Sequence, residues 1–228
     1  MSQPLSTLVP VARSLVDVGV YDAQEISHLL AQNVDCIVRW SVPDGKGRPA
    51  IVPPSLDRAF SFVDLVSFAV VAELWGRLVS EVEMRNGVAL LMQETGYDKP
   101  LAQQQVIEVL ATCGTSLIAN LGGGWFDIGK GGQGAFEEVL LVYLKAISYD
   151  DLGVAQRWRP APLVVLDPRV QAGTPCIEGT RIPTQVVATM LDTDSAETVG
   201  EELDLTVEQV HAAANFEAAL AEGRGLAA

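Results

Sequence analysis

The chain has 228 residues, of which 49% are hydrophobic, and it carries 15 Lys and Arg against 29 Asp and Glu, a net charge of −14. This length favours two or three small domains, each with its own packed core. So acidic a chain lacks the basic balance of a typical nucleic-acid-binding protein, which excludes a general affinity for DNA as the default expectation.

The amino-terminal stretch does not predict an export signal or a membrane anchor. Residues 1–19 have no basic start, and Arg13 and Asp17 interrupt their apolar residues. The most apolar run, residues 62–78, contains three charged side chains and falls short of a membrane span. We therefore expect a soluble cytoplasmic protein without a membrane partner.

Two short helices separated by a tight turn are predicted over residues 22–41. Asp22 is expected to cap the first helix with Glu25 as its capping-box partner, and residues 31–33 break the pattern. The second helix, VDCIVRWS, would bury four apolar residues: Val34, Ile37, Val38 and Trp40. Two such helices are typical of a helix-turn-helix.

The outward face of the second helix and the loop after it hold the candidate DNA-binding residues. The loop, PDGKGRPAIVPP, is rich in Gly and Pro and suits a wing or a phosphate-contacting turn. The candidates are Asn33, Asp35, Arg39, Lys46, Arg48 and Arg58. Surface ion pairs to Asp35, Asp44 or Asp57 are the alternative role of the cations. Charge alone favours the ion pairs, whereas placement favours DNA.

A long helix capped by Ser61 and Asp64 is predicted over residues 62–78, and a further helix follows it to about residue 96. The long helix carries two apolar stripes, so it must be covered on two sides, by its own domain and by a second subunit. We therefore expect a homodimer formed through residues 62–95.

Residues 101–160 are predicted to form a small α/β connector unit. QVIEVLAT and TSLIANL are β-prone runs, whereas EEVLLVYLKAI has a helical pattern. In the Gly-rich stretch, GWFDIGKG matches a phosphate-binding loop, but Gly131 stands where a Ser or Thr hydroxyl is needed for Mg²⁺, so a turn is the favoured interpretation. WRPAP, residues 158–162, marks the boundary of the next domain.

From Leu163 the chain reads as one strand, LVVLDP, then a turn-rich stretch and three helices. Thr180 or Thr184 is predicted to cap the first helix. Thr206 and Gln209 form a capping box at the last helix, which meets its predecessor at a tight turn and resembles a second helix-turn-helix.

Arg181 lies in the turn-rich stretch beside a helix amino terminus, where the helix dipole disfavours a cation. It therefore needs another partner, either an internal carboxylate such as Asp167 or an acidic surface on another molecule. Residues 161–228 hold eleven Asp and Glu and three cations, Arg169, Arg181 and Arg224. So acidic a region should prefer a basic or metal-bearing partner.

The predicted fold class is α+β and mostly α, in three domains. These are a winged helix-turn-helix at 1–100, the small α/β unit at 101–160, and a trihelical, helix-turn-helix-like domain with a short β-hairpin at 161–228. No catalytic, metal or cofactor constellation is predicted, since His28 and His211 lie far apart without a second ligand at metal spacing.

Residues 163–218 resemble a known family. The run DPRVQAGTPCIEGTRI fills every fixed position of the pattern D-P-x-x-x-x-G-x-P-x-I-x-G-T-R-I of domain of unknown function 433, a small trihelical domain. Residues 1–100 resemble, more loosely, the winged helix-turn-helix of the MerR type, with IVRW where that family has an arginine-tyrosine-tyrosine run.

The combination is similar to antitoxins of the VapB class in bacterial type II toxin–antitoxin modules. The resemblance implies that the chain inhibits a PIN-domain ribonuclease toxin, whose active site is a cluster of carboxylates holding Mg²⁺. It also implies a higher hetero-oligomer with that toxin and repression of the operon through operator DNA.

Under this resemblance, Arg169, Arg181 and Arg224 are the candidate toxin-binding residues. Arg224 ranks above Arg181 for insertion into the toxin active site, because it lies in a flexible-looking tail. The alternative function is a stand-alone transcription regulator that senses a small effector through residues 101–160.

Overall fold

The computed structural model describes residues 19–56, 59–76, 79–113 and 146–226. These residues have a mixed α/β fold, about half helical, with one small antiparallel sheet. The α-helices in this part of the chain are α1 (Ala23–Leu30), α2 (Val34–Ser41), α3 (Phe62–Gly76), α4 (Glu81–Thr95), α5 (Gln104–Cys113), α6 (Thr184–Met190), α7 (Ala196–Leu203) and α8 (Val207–Ala221). The strands are β1 (Ile147–Tyr149), β2 (Ala155–Ala161), β3 (Val164–Leu166) and β4 (Cys176–Ile177), hydrogen-bonded in the order β1-β2-β3-β4.

The predicted pair of short helices is present as α1 and α2. Asp22 accepts a hydrogen bond from the Glu25 N–H at 2.8 Å, and the Glu25 carboxylate accepts one from the Asp22 N–H at 2.7 Å, which confirms the capping box. Trp40 is fully buried, as predicted, but Val38 is 48% exposed, so the buried face of α2 is narrower than predicted. The loop over residues 43–54 contains turns and bends and no strand.

The long helix α3 is covered by residues of its own chain. The first predicted stripe is buried, and so are Phe68 and Val71 of the second stripe, whereas Trp75 of the second stripe is 39% exposed. One chain therefore covers most of both sides of α3, and the homodimer through residues 62–95 stays a prediction. At the start of the helix, Asp64 and Ser61 exchange hydrogen bonds, and Lys99 lies 2.6 Å from the buried Asp64 carboxylate.

One element of residues 101–160 was predicted with the wrong type. QVIEVLAT lies in helix α5, in which Val106, Ile107 and Leu110 are buried along one face. Burial of that face in the core overrides the β propensity of the valines and isoleucine, which is strongly context-dependent. TSLIANL, GWFDIGKG and all but the last two residues of EEVLLVYLKAI lie outside the described residues.

The boundary predicted at WRPAP falls inside strand β2, which pairs with β1 on one side and β3 on the other. Trp158 is buried, and its neighbours Arg157 and Arg159 point to the opposite side of the strand, as the pleat requires. Pro160 lies where the β2–β3 register shifts, which is the position in a strand that tolerates a proline. The sheet therefore includes residues from both sides of the predicted boundary.

The three carboxy-terminal helices are present, and the capping box of Thr206 and Gln209 is confirmed. The expected cap of α6 is wrong, since Pro183 occupies the N-cap position without a side-chain hydrogen bond. Thr184 instead donates its hydroxyl to the Glu217 carboxylate, and Thr180 donates to the Ile177 carbonyl at 2.9 Å. Both threonines thus bind neighbouring elements and leave the helix end uncapped.

Candidate functional site

Among the outward side chains of α2, Arg39 has partners within the chain. Asp35 and Arg39 are exposed, four residues apart, and Asn33 caps the helix through the Asp35 N–H at 2.8 Å. The Arg39 Nε donates to Glu81 at 2.8 Å, and its guanidinium lies 6.0 Å from the centre of the Trp75 ring. The structure thus places Asp35 and Arg39 on the exposed side of α2, and Arg39 shares the Glu81 carboxylate with Arg85.

The loop after α2 is organised by Asp44. The Arg48 N–H donates to this carboxylate at 2.9 Å, the Arg48 guanidinium at 2.5 Å and the Lys46 N–H at 2.9 Å. These bonds, led by the one from the Arg48 backbone, lower the pKa of Asp44 to about 2. Arg48 thus forms the ion pair that was its alternative role, whereas the Lys46 side chain is exposed and makes no ion pair with a described residue. Arg58 lies outside the described residues.

Arg85 of α4 is a buried arginine that no sequence signal distinguishes from a surface residue. Its guanidinium is 1% exposed, and all five N–H groups are used. Two go to Glu81, and three go to the carbonyls of Arg39, Val42 and Pro49 at 2.7 to 2.9 Å. Arg85 therefore ties α4 to the end of α2 and to the loop that follows it.

Asp167, at the end of β3, is held between two arginines. Arg157 of β2 donates Nε and Nη2 to Oδ2 at 2.9 and 2.8 Å, and Arg169 donates Nε to Oδ1 at 3.0 Å and Nη2 to Oδ2 at 2.8 Å. Burial raises the pKa of Asp167, but the hydrogen bonds from Arg169 and Arg157 outweigh it and hold the pKa at about 2.

The predicted pairing of Asp167 with Arg181 is therefore wrong. The register of the sheet pairs Trp158 with Leu166 and so places Arg157 beside the carboxylate, while the turn after β3 returns Arg169 to it. Sequence spacing could not show this, because the register of β2 depends on contacts across the sheet.

Arg181 is exposed and makes no ion pair with a described residue. Its backbone is fixed, since its carbonyl accepts a hydrogen bond from Gln171 Nε2 at 3.0 Å. Arg169 lies two residues before Gln171 and is also exposed. The structure thus brings Arg169 and Arg181 onto two turns joined by one glutamine, and only Arg169 of the two is bound to Asp167.

Arg224 lies apart from that pair of turns. Its Nη2 donates to Glu222 at 2.6 Å, and both side chains are more than half exposed. The tail is attached to α1, because the Leu226 N–H donates to the Leu29 carbonyl at 2.7 Å. Arg224 was expected to lie in a flexible tail, whereas the structure attaches this part of the tail to α1.

A direct joint connects the turn before β4 to the start of α1. The Val20 N–H donates to the Ala172 carbonyl at 3.0 Å, and the buried Tyr21 hydroxyl donates to the Gly173 carbonyl at 2.8 Å. Gly173 has φ of 95°, and a Cβ on it would lie 2.0 Å from the Tyr21 oxygen. Only glycine fits this turn while Tyr21 keeps its place.

Metal-binding and membrane-spanning features are both missing from the described residues. These residues contain no group of three or more His, Cys, Asp or Glu side chains placed to hold a metal ion. None of their helices combines the length and the apolar character needed to cross a membrane.

Comparisons with known proteins bear on the carboxy-terminal region and on the fold. No curated protein matches the chain. The crystal structure of Rv2018 from Mycobacterium tuberculosis is similar, with a TM-score of 0.62 and 21% identity, covering 86% of this chain and 97% of that chain. At this identity the likeness shows a shared fold alone. Residues 164–216 match the family described as protein of unknown function DUF433, which supports the resemblance expected for residues 163–218.

Proposed function

We propose that this protein is an antitoxin that binds and inhibits a ribonuclease toxin through its carboxy-terminal region and represses its own operon by binding DNA. The observation that carries the proposal is the exposed Arg181 guanidinium, which has no ion pair with a described residue although residues 161–228 hold eleven acids. A cation left unpaired in so acidic a region is available to an acidic group on another molecule.

The chemistry of the guanidinium supports this role. It can engage two carboxylate oxygens at once and replace a metal ion electrostatically, which a lysine ammonium cannot reproduce in that geometry. A nuclease that holds Mg²⁺ with a cluster of carboxylates presents such oxygens. The hydrogen bond from Gln171 fixes the Arg181 backbone, so less freedom is lost when the side chain binds.

Arg181 therefore replaces Arg224 as the first candidate for insertion into the toxin active site. Arg224 already has Glu222 as its partner, and Arg169 has Asp167. Arg224 or Arg169 would therefore have to break its ion pair with a carboxylate of its own chain before it could bind a carboxylate of the toxin.

The decisive experiment measures ribonuclease inhibition and binding by the full chain. We predict that an adjacent reading frame encodes a nuclease with a carboxylate cluster, and that nuclease is the toxin to test. The variants are Arg181→Ala, Arg181→Lys and Arg224→Ala. Arg181→Ala removes one partner of a desolvated charge pair, so its binding to the toxin should weaken by about 2 to 5 kcal/mol. Arg181→Lys should recover only part of this lost affinity, and Arg224→Ala should inhibit the toxin like the wild type.

Two results would contradict the proposal. Full inhibition by a well-folded Arg181→Ala variant would show that no insertion of Arg181 is needed. Absence of any complex between the wild-type chain and the nuclease would argue against the antitoxin function as a whole.

The proposed DNA contact rests on the pair α1 and α2 and on the loop that follows them. Asp35 and Arg39 lie on the exposed side of α2, and Lys46 extends from the loop. A helix-turn-helix of the MerR type would use its second helix for the major groove and its wing for phosphates. A homodimer would then present two copies of this surface to a two-site operator.

A further inference from the structure

An open cleft of about 820 Å³ lies beside α8. Residues 160–163, at the end of β2 and in the turn to β3, form one wall, and Ala212, Phe216 and Ala219 of α8 form the other. Leu226 of the tail closes one end, and the hydrogen bond from its N–H to Leu29 holds it there. The walls are therefore mostly apolar, with His211 and Asn215 as polar side chains of α8 among them, and are built from elements fixed in the fold.

The shape of the cleft fits a helix. Its lining along α8 runs from Glu208 to Leu220, which at 1.5 Å per residue is about 18 Å and equals about three helical turns. The small Ala212 and Ala219 side chains allow a close approach to the α8 backbone. Amphipathic helices bind in such grooves by placing one apolar face against the groove.

The charge around the cleft favours a basic occupant. Glu208 lines one end with His211 beside it, and Arg224 at the other end is paired with Glu222 and so adds no net positive charge. The surrounding region has eleven acids and three arginines. A second copy of this chain would bring a further net charge of −14 to this acidic surface, which disfavours self-association here.

We propose that this cleft is the docking site for an amphipathic helix of a partner protein, with apolar side chains facing α8 and basic side chains on its flanks. None of Arg169, Gln171 and Arg181 lines the cleft, so this contact is additional to the proposed insertion of Arg181. The docked helix would bury the apolar walls and place its cations near Glu208.

The test uses the full chain and a fluorescein-labelled amphipathic peptide of Leu and Lys, with a Leu and Glu peptide of the same apolar pattern for comparison. Ala219→Trp fills the cleft, and Ala218→Trp adds the same bulk on the exposed neighbouring position of α8, outside the lining. Anisotropy should show binding about ten-fold weaker for Ala219→Trp, a loss of about 1.4 kcal/mol, and unchanged for Ala218→Trp.

A charge reversal keeps the test informative if Ala219→Trp fails to fold in a melting curve. Glu208 is exposed, so Glu208→Lys should fold, bind the Leu and Lys peptide more weakly and bind the Leu and Glu peptide more tightly. The proposal is overturned if folded Ala219→Trp binds like the wild type, if Ala218→Trp weakens binding equally, or if Glu208→Lys leaves both affinities unchanged. The assay contains no nuclease, so its result is separate from the test of the antitoxin function.

Discussion

The role of each arginine follows from how many of its donors are satisfied within the chain. Arg85 uses all five N–H groups on internal acceptors, whereas the Arg181 guanidinium has no ion pair with a described residue and is exposed. The first arrangement holds α2, the loop after it and α4 together. The second leaves a charge available to another molecule, which is the basis of the proposed function.

Replacing Arg85 should therefore destabilise the fold far more than replacing a surface arginine. Arg85→Met removes the Arg85 donors from three carbonyls and leaves Glu81 with Arg39 as its remaining cation, and we expect a loss of about 3 kcal/mol or more in the free energy of unfolding. Arg85→Lys keeps the charge but has only three donors, so its loss should be smaller but clear. Urea denaturation measures both, with Arg224→Ala as the surface control. Equal losses for Arg85→Met and Arg224→Ala would contradict the structural role.

At the scale of elements, local signals predicted the capped starts of α1 and α8 and failed for the cap of α6 and for contacts across the sheet. The capping boxes at Asp22 and Thr206 could be predicted because donor and acceptor are three residues apart. Strands β1 and β2 and helix α5 could not be predicted, since their type depends on what they pack against. The candidate cations could be named from the sequence alone. Arg157 could not be predicted as a partner of Asp167, because that pairing depends on the register of the sheet.

The turn before β4 offers a test of the joint between α1 and the carboxy-terminal region. Gly173→Ala would place a Cβ 2.0 Å from the Tyr21 oxygen, at a φ of 95°, and we expect a loss of about 3 kcal/mol. Gly179→Ala is the matched control, because Gly179 also has a positive φ, of 83°, but an added Cβ would meet nothing within 4 Å. Its loss should be about 1 kcal/mol.

Chemical denaturation of both glycine variants measures the difference. In a Tyr21→Ala background the cost of Gly173→Ala should fall toward that of Gly179→Ala, because the two changes share one contact. Equal costs for the two glycine variants in the wild-type background would mean that the Tyr21 contact does not constrain the turn.

At the scale of the whole molecule, one core joins the parts that the sequence divided into domains. It extends from Tyr21 and the helices of the amino-terminal half, through Trp158 of the sheet, to Phe216 and Leu220 of α8. A second, smaller core lies between β4 and the last three helices and includes Ile177 and Val210. A partner bound at the Arg181 turn or in the α8 cleft therefore contacts elements packed against the predicted DNA-binding helices.

With a net charge of −14, the proposed binding to DNA has to come from a local cation. Among the predicted DNA-binding residues within the described part of the chain, Lys46 is the one cation without an ion pair there, since Arg39 pairs with Glu81 and Arg48 pairs with Asp44. Removing one cation that binds a phosphate should lower the slope of log affinity against log salt by about 0.9.

We therefore expect Lys46→Ala to lower that slope by about 0.9 and Arg48→Ala to change it much less, because Arg48 is already paired with Asp44 and has no phosphate contact to lose. Lys46→Arg should keep the wild-type slope, since it keeps the charge. Gel-shift titrations with DNA from the protein's own promoter measure all three. An unchanged slope in Lys46→Ala would place the DNA-binding surface elsewhere. A larger change in Arg48→Ala than in Lys46→Ala would show that Arg48 leaves Asp44 to bind phosphate.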